Sequence, residues 1–191
     1  MNIFYEVFPE NIVINNICYD VVTDFREWIK WLDMLNDKEL SIAEKIYFTR
    51  AMFIDGCNEP FEDILEAFIT FIAGAPTEDV PFKGKGDEAR TKNRLLSYNY
   101  DAKFIIPDFL KNYGIDLLDD RIYLHWWKFR ILLDGLPEET MTKKVIYYRS
   151  VDLSKIKDKD ERSRIRRIKD SIKLPEEGGV MDDGAIANAF I

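Results

Sequence analysis

At 191 residues the chain is long enough to bury a core without disulfide or metal staples, and nothing in its length requires a second domain. Its residues are 47% hydrophobic and 14% aromatic, which excludes a disordered protein, while 32% charged residues fit a soluble one. The net charge of −8 is uneven: residues 143–173 hold 12 Lys/Arg against 5 Asp/Glu, a net +7 that leaves −15 on the remainder, so the chain is an acidic body with a basic arm.

The chain begins Met1-Asn2-Ile3-Phe4-Tyr5-Glu6, without the basic and apolar regions of a secretory signal. No later stretch approaches the roughly 20 apolar residues of a membrane span. A cytoplasmic protein is expected. The runs Ile12-Val13-Ile14 and Ile17-Cys18-Tyr19 flank Asn15-Asn16, and Asn accepts the positive φ of tight turns, which predicts a β-hairpin over Asn11 to Val22. A hairpin alone is marginal, so it is expected to lie as a lid on a helical body.

Asp24 with Glu27 opens a helix in which Phe25, Trp28, Ile29, Leu32 and Leu35 recur at helical spacing, with Trp31 on its flank. Ser41 with Glu44 opens a second, running to Ile54 and stopped by Gly56; Ile42, Ile46 and Phe53 share one face, and Phe48 with Met52 forms a stripe opposite. A third follows Pro60, turns Phe61, Ile64, Leu65, Phe68, Ile69 and Ile72 inward, and ends at Gly74. From about 75 to 93 the periodicity dissolves among Pro76, Pro81, Gly84 and Gly86, which predicts a flexible loop. Asp101 is expected to cap a helix toward Asn112, kinked at Pro107 and closed by Gly114.

The next helix contains Tyr123-Leu124-His125-Trp126-Trp127-Lys128-Phe129, with half of the four tryptophans and the only histidine. Ile122, Trp126, Phe129 and Leu133 make one stripe, flanked by His125 and Leu132, while Leu124, Trp127 and Ile131 make another; a helix apolar on two sides is usually buried on two sides. Gly135 and Pro137 end it. A helix over Glu138 to Tyr148 and a basic one over about 158–173 follow, the latter with a thin stripe of Ile165, Ile168 and Ile172 that docks shallowly. Residues 175–191 have the composition of a flexible tail. The fold expected is mainly α: a single helical-bundle-like domain over residues 1–174 with a small N-terminal β-hairpin. Its structural core is expected to include Phe25, Trp28, Ile29, Phe68, His125, Trp126 and Phe129.

Signatures of catalysis and of metal or cofactor binding fail on spacing. Gly84-Lys85-Gly86-Asp87 lacks the Ser/Thr and the strand–helix context of a phosphate loop. The pairs Asp119-Asp120, Glu138-Glu139 and Asp182-Asp183 lack the alternation of a calcium loop. Pro107-Asp108 has no downstream Asp or Glu followed two residues later by Lys, as a metal-dependent nuclease core would need. Cys18 and Cys57 have no metal-ligand spacing and are expected as reduced thiols. His125 shares its stripe with Phe129 and Leu132, a packing position rather than that of a general base. A non-enzymatic protein without metal or cofactor is expected. The basic arm offers Arg162, Arg164, Arg166, Arg167, Lys169 and Lys173 to a partner. Its interspersed Asp158, Asp160, Glu161 and Asp170 suggest intrahelical pairing, so a solvated face ranks first, a protein partner second and nucleic acid last.

Four strings of rare residues carry a resemblance: Thr23-Asp24-Phe25-Arg26 with Trp28-Ile29; Tyr113-Gly114-Ile115-Asp116-Leu117; Tyr123 to Phe129; and Tyr148-Arg149-Ser150-Val151-Asp152-Leu153-Ser154-Lys155-Ile156. In that order, and over about residues 4–174, the chain resembles the bacteriophage and prophage gene-product-fifteen family of tail gene clusters. It departs from the usual pattern at Asn15-Asn16, where a Gly is common, at Pro107, and in the composition of the 75–93 loop. Such genes tend to lie between those for the tail tube and the tape measure protein. The resemblance therefore implies a tail assembly chaperone of the host cytoplasm that binds the tape measure protein, with the tail tube protein as a further partner. An assembly factor lining a long partner would also benefit from pairing with a second copy of the chain, and no membrane partner is expected. The alternatives are a minor structural component or connector of the tail, and a nucleic-acid-binding or host-directed regulator acting through the basic arm. It supplies no catalytic residues. A tape measure protein is a long helical chain with unpartnered apolar faces, which aggregate unless shielded. The side chains expected to shield it are Trp31, Phe48 with Met52, and Leu124, Trp127 and Ile131, joined by Arg162, Arg166 and Arg167; core packing is the competing reading for each apolar one.

Overall fold

The computed structural model describes residues 7–74 and 95–174. Both the loop expected at 75–93 and the tail at 175–191 lie outside the described residues. Within them the chain forms a two-stranded antiparallel hairpin, β1 (Asn11–Ile14) and β2 (Ile17–Asp20), followed by α1 (Phe25–Asn36), α2 (Ile42–Arg50), α3 (Phe61–Ala73), α4 (Tyr98–Tyr113), α5 (Trp126–Asp134), α6 (Met141–Ser150), a 3-10 turn at Leu153–Lys155 and α7 (Lys159–Ser171). The mainly α architecture with an N-terminal hairpin is as expected.

Local chemistry explains most of the boundaries. Asn15 and Asn16 take φ of 49° and 64°, the left-handed pair that a two-residue hairpin turn requires. Ser41 and Glu44 form a full capping box at the start of α2. The box expected at α1 is only half built: Asp24 accepts from the Arg26 N–H, while Glu27 turns to Lys30 at 2.7 Å. Gly114 closes α4 with φ of 66°, a conformation that costs glycine little.

Four boundaries differ from expectation, the simplest being α6, which Thr140 caps so that it starts at Met141 rather than Glu138. Ser97, not Asp101, caps α4; Asp101 sits one turn inside and reaches back to the Ser97 N–H at 2.8 Å, and the helix runs through Pro107. Helix α2 stops at Arg50, so Met52 and Phe53 are not helical; Phe53 instead bridges Val21 beside the hairpin. Helix α5 begins only at Trp126, because Leu124 and His125 are drawn into an antiparallel bridge with Asp24: the Phe25 N–H donates to the Leu124 carbonyl at 2.9 Å and the Trp126 N–H to the Thr23 carbonyl at 2.7 Å. Tertiary pairing has won over helical propensity there.

The core is aromatic. Trp28 and Trp126 are fully buried, Phe25 stacks on Phe129 with centroids 4.6 Å apart, Phe109 stacks on the same ring at 5.4 Å, and Trp28 stacks on Phe71 at 4.8 Å. Tryptophan can be buried at this depth only if its N–H finds an acceptor. Trp28 donates to the Val22 carbonyl, Trp31 to Thr49 Oγ1, Trp126 to the Ile72 carbonyl and Trp127 to the Phe71 carbonyl. Phe68 joins the core, and Ile29 lies half-buried against it.

Candidate partner-binding site

His125 is 6% exposed and packs its ring 5.1 Å from that of Phe8. Its role is to cap α5. Nδ1 accepts from the Trp127 N–H at 3.0 Å, and Nε2, 3.0 Å from the Pro9 carbonyl, must be the protonated nitrogen because a carbonyl can only accept. Both bonds therefore specify the neutral Nε2–H tautomer. Burial pushes the imidazole pKa below its ordinary value, against the smaller opposing effects of the Pro9 carbonyl and Glu10. With both nitrogens engaged, the ring has the environment of a structural histidine.

The partner-contact residues expected from the sequence fall into two groups. Trp31, Met52 and Leu124 are buried in the core, which removes them from any free surface. Phe48 is exposed, and Trp127 and Ile131 are half-buried. Helix α2 explains the split. Its buried side chains are Lys45 and Thr49, whereas Ile42, Tyr47 and Phe48 are 61%, 70% and 46% exposed. The helix is inverted relative to an ordinary amphipathic one.

Two polar bonds hold it in that orientation. Lys45 Nζ donates to the Leu35 carbonyl in the last turn of α1 at 2.7 Å, placing a cation where unsatisfied carbonyls and the helix dipole favour one. Thr49 Oγ1 accepts from Trp31. The expectation of an Ile42, Ile46 and Phe53 face with a Phe48–Met52 stripe opposite is thus corrected: Met52 and Phe53 lie past the helix end and are buried, while Ile42, Tyr47 and Phe48 are exposed, with Tyr47 and Phe48 edge to face at 5.5 Å. Ile42 and Tyr47 were not among the expected contacts, although polar Lys45 and Thr49 at i, i+4 spacing were the available signal.

A second surface lies between β1 and α3. An open groove of about 530 Å³ is lined by residues 11–15 of the hairpin, by Asp63, Glu66, Ala67 and Thr70 of α3, and at its far end by Phe71, Gly74 and Trp127. Asn15 Nδ2 donates to Glu59 at 2.7 Å and to Asp63 at 2.9 Å, fixing the turn to the start of α3. Tyr19 donates to Glu59 at 2.8 Å; that bond chiefly raises its pKa to about 12 and keeps the hydroxyl a donor. At the other end Gly74 leaves room for the indole: a Cβ there would lie 3.2 Å from Trp127.

Three cations of the basic helix donate to backbone carbonyls. Arg162 donates to the Ile156 carbonyl, Lys169 Nζ to the Arg149 and Val151 carbonyls at 2.9 and 2.7 Å, and Arg167 to the Ser163 carbonyl at 3.4 Å. Arg164, Arg166 and Arg167 are exposed, whereas Arg162 is half-buried. Of the helix's isoleucines only Ile165 is buried, the shallow docking that its thin stripe predicts. Among the described residues no group of three or more His, Cys, Asp and Glu is placed to hold a metal, and no helix is long and apolar enough to cross a membrane.

A family model described as Bacteriophage Gp15 protein matches residues 6–174, well over half of the chain. The chain belongs to this family. It is thereby a phage structural or assembly-related protein. No curated protein and no solved structure matches it.

Most of the strings that carry the family resemblance meet one another in space. Arg26 of the first donates to the Ile122, Leu117 and Asp119 carbonyls at 2.9, 3.0 and 2.8 Å, tying the first string to the second and to the segment that leads into the third. Thr23 Oγ1 and the Tyr123 hydroxyl share a hydrogen bond of 2.6 Å, and the Tyr113 hydroxyl donates to the Leu132 carbonyl. Arg149 of the fourth string forms a bidentate pair with Asp101, at 2.6 and 2.9 Å, and also donates to the Leu95 and Ile172 carbonyls. The residues that mark the family in this chain act as clamps of the fold. The surfaces open to a partner lie on α2 and along β1, where Trp127 of the third string lines the far end of the groove.

Proposed function

We propose that this Gp15-family protein is a non-enzymatic tail assembly chaperone that binds the tape measure protein of its gene cluster before the tail tube forms around it. The observation that carries the reading is the inverted α2, which keeps Lys45 and Thr49 inside and presents Ile42, Tyr47 and Phe48 to solvent. Apolar side chains held outside against the ordinary preference of a soluble protein, with Tyr47 and Phe48 in contact, mark a place for a partner, and an amphipathic helix of a long helical client is the complement they fit. Family membership supplies the phage-assembly setting; the resemblance to tail-cluster proteins supplies the client.

Co-expression tests it. The tape measure protein encoded in the same cluster should gain soluble yield and co-purify with the wild-type chain. Phe48→Glu should lose both while keeping its own melting temperature, because the side chain contributes little to the core. An unchanged yield with no co-purification refutes the chaperone role. If the protein is instead found at fixed stoichiometry in purified particles, it is a component of the tail.

A further inference from the structure

We propose that the outer edge of β1 takes up an extended segment of a client chain by strand addition, a segment carrying one bulky apolar residue and a Lys or Arg two or four positions away. The inference rests on the reading of this protein as one that binds a client, and adds to it a second mode of contact, separate from α2.

Among the described residues the hairpin is a sheet of two strands, so β1 has a strand partner on one side only. The two-residue turn makes Ile14 and Ile17 a hydrogen-bonded pair, and antiparallel alternation then assigns Ile12 and Tyr19 to the same class. The Val21 N–H donating to the Glu10 carbonyl at 3.0 Å continues that alternation. Asn11 and Val13 are therefore the residues whose N–H and C=O point away from β2. Neither backbone bonds to another described residue outside the hairpin, and Val13 is 63% exposed. Such an edge is a template for another strand.

The groove beside that edge states what the added strand must carry. Its turn end has the carboxylates Asp63 and Glu66, its far end has Phe71 and Trp127, and none of the described residues that line it is Lys or Arg. Charge complementarity therefore selects a basic residue at one end and an apolar one at the other. The spacing follows from α3. Glu66 and Phe71 are five residues apart and Asp63 and Phe71 eight, about 7.5 and 12 Å at ~1.5 Å per residue. Those lengths correspond to roughly two and four residues of strand, both even, so the two side chains emerge on the same face.

A nine-residue peptide with Thr at odd positions and Lys, Lys, Leu and Phe in turn at even positions is the probe. On binding, the Asn11 and Val13 amide resonances and the Trp127 indole N–H should shift together. Replacing both Lys by Glu, or N-methylating alternate backbone nitrogens, should weaken binding at least about tenfold. Val13→Pro should do the same, since proline is tolerated on edge strands but cannot donate. Glu66→Lys, on an exposed position, gives a second test free of any folding defect: it should lose the Lys peptide and gain the Glu peptide.

Equal affinity for the N-methylated or Glu peptide, or shifts confined to α2, overturns the proposal. So does a shift of Asn11 and Val13 that follows protein concentration without peptide, which identifies a second copy as the occupant. The two readings separate cleanly. Wild-type protein that binds the peptide as described but leaves the tape measure protein insoluble refutes the chaperone role and upholds the groove; a client made soluble by a chain that binds no peptide does the reverse.

Discussion

Replacing Arg149 by Leu is the most informative perturbation of the fold. The Arg149 side chain is 8% exposed and the Asp101 side chain 1%, so their bidentate pair is shielded from solvent screening. Removing the guanidinium leaves the Asp101 carboxylate buried with the Ser97 N–H as its remaining hydrogen-bond donor in the described structure, and strips the Leu95 and Ile172 carbonyls of the Arg149 bond. Breaking one partner of a buried pair costs about 3–5 kcal/mol, a large fraction of the ~5–15 kcal/mol that holds a domain folded. With a urea m-value of about 2 kcal/mol/M, the unfolding midpoint should fall by roughly 2 M. The double variant Arg149→Leu/Asp101→Leu should recover part of that loss, because an apolar pair of similar volume replaces a buried ion pair at little cost. Urea unfolding followed by circular dichroism, arranged as a double-mutant cycle, measures both. A midpoint shift below about 0.5 M for the single variant, or simple additivity in the double, would refute the reasoning.

Further outcomes follow from the clamps and the turn. His125 has its pKa lowered from 6.5 by burial, so as pH falls below 6.5 the unfolded chain takes up the proton first; stability is full above that value and is lost as pH falls toward the folded pKa. Thermal melts between pH 7.5 and 5, with the single histidine followed by NMR, should show this, and an imidazole titrating above 6.5 in the folded protein contradicts it. Arg26→Lys keeps the charge but cannot span three carbonyls, and losing two charge-assisted bonds should cost about 3 kcal/mol in denaturant titration. Asn16→Ala places a Cβ residue less tolerant of positive φ at a φ of 64° and should cost about 1 kcal/mol, with hairpin amides exchanging faster than helical ones. Lys45→Met should destabilise the α1–α2 packing by about 1–3 kcal/mol, because the Leu35 carbonyl loses its buried partner. A Met variant as stable as the wild type would mean that Lys45 does not hold α2 in its inverted orientation.

Where the determinants are local, the sequence is legible. The Asn15-Asn16 turn, the Ser41–Glu44 box, the amphipathic α3 and the Gly114 stop each depend on residues a few positions apart, and all appear in the fold as read. The misread positions depend on distant partners. Helix α5 starts four residues later than its periodicity suggests because Leu124 and His125 pair with a strand-like Asp24, about a hundred positions away in sequence. Helix α2 faces the other way because Lys45 finds the C-terminal carbonyl of α1 and Thr49 finds the Trp31 indole; apolar periodicity cannot register a polar bond made to another helix. Trp31 illustrates the same limit, since its flank position on α1 becomes core only once Thr49 is beside it.

One of the two candidate surfaces, the exposed side of α2, arises where local rules were overridden; the other flanks the hairpin, which local rules specify. A soluble nine-residue helix normally hides its isoleucines and aromatics. Here two polar bonds reverse that order, leaving three large apolar side chains outside at a cost the core repays elsewhere. Most residues of the strings that identify the family are not contacts, since Arg26, His125, Trp126 and Arg149 are each committed to partners within the chain; Trp127, which lines the far end of the β1 groove, is the exception. Substitutions in those strings should therefore act through stability, lowering folded protein and client binding together. Substitutions at Phe48 or Glu66 should act on binding alone. That separation, measured as melting temperature against client solubility for the same set of variants, distinguishes clamps from contacts more directly than either measurement by itself.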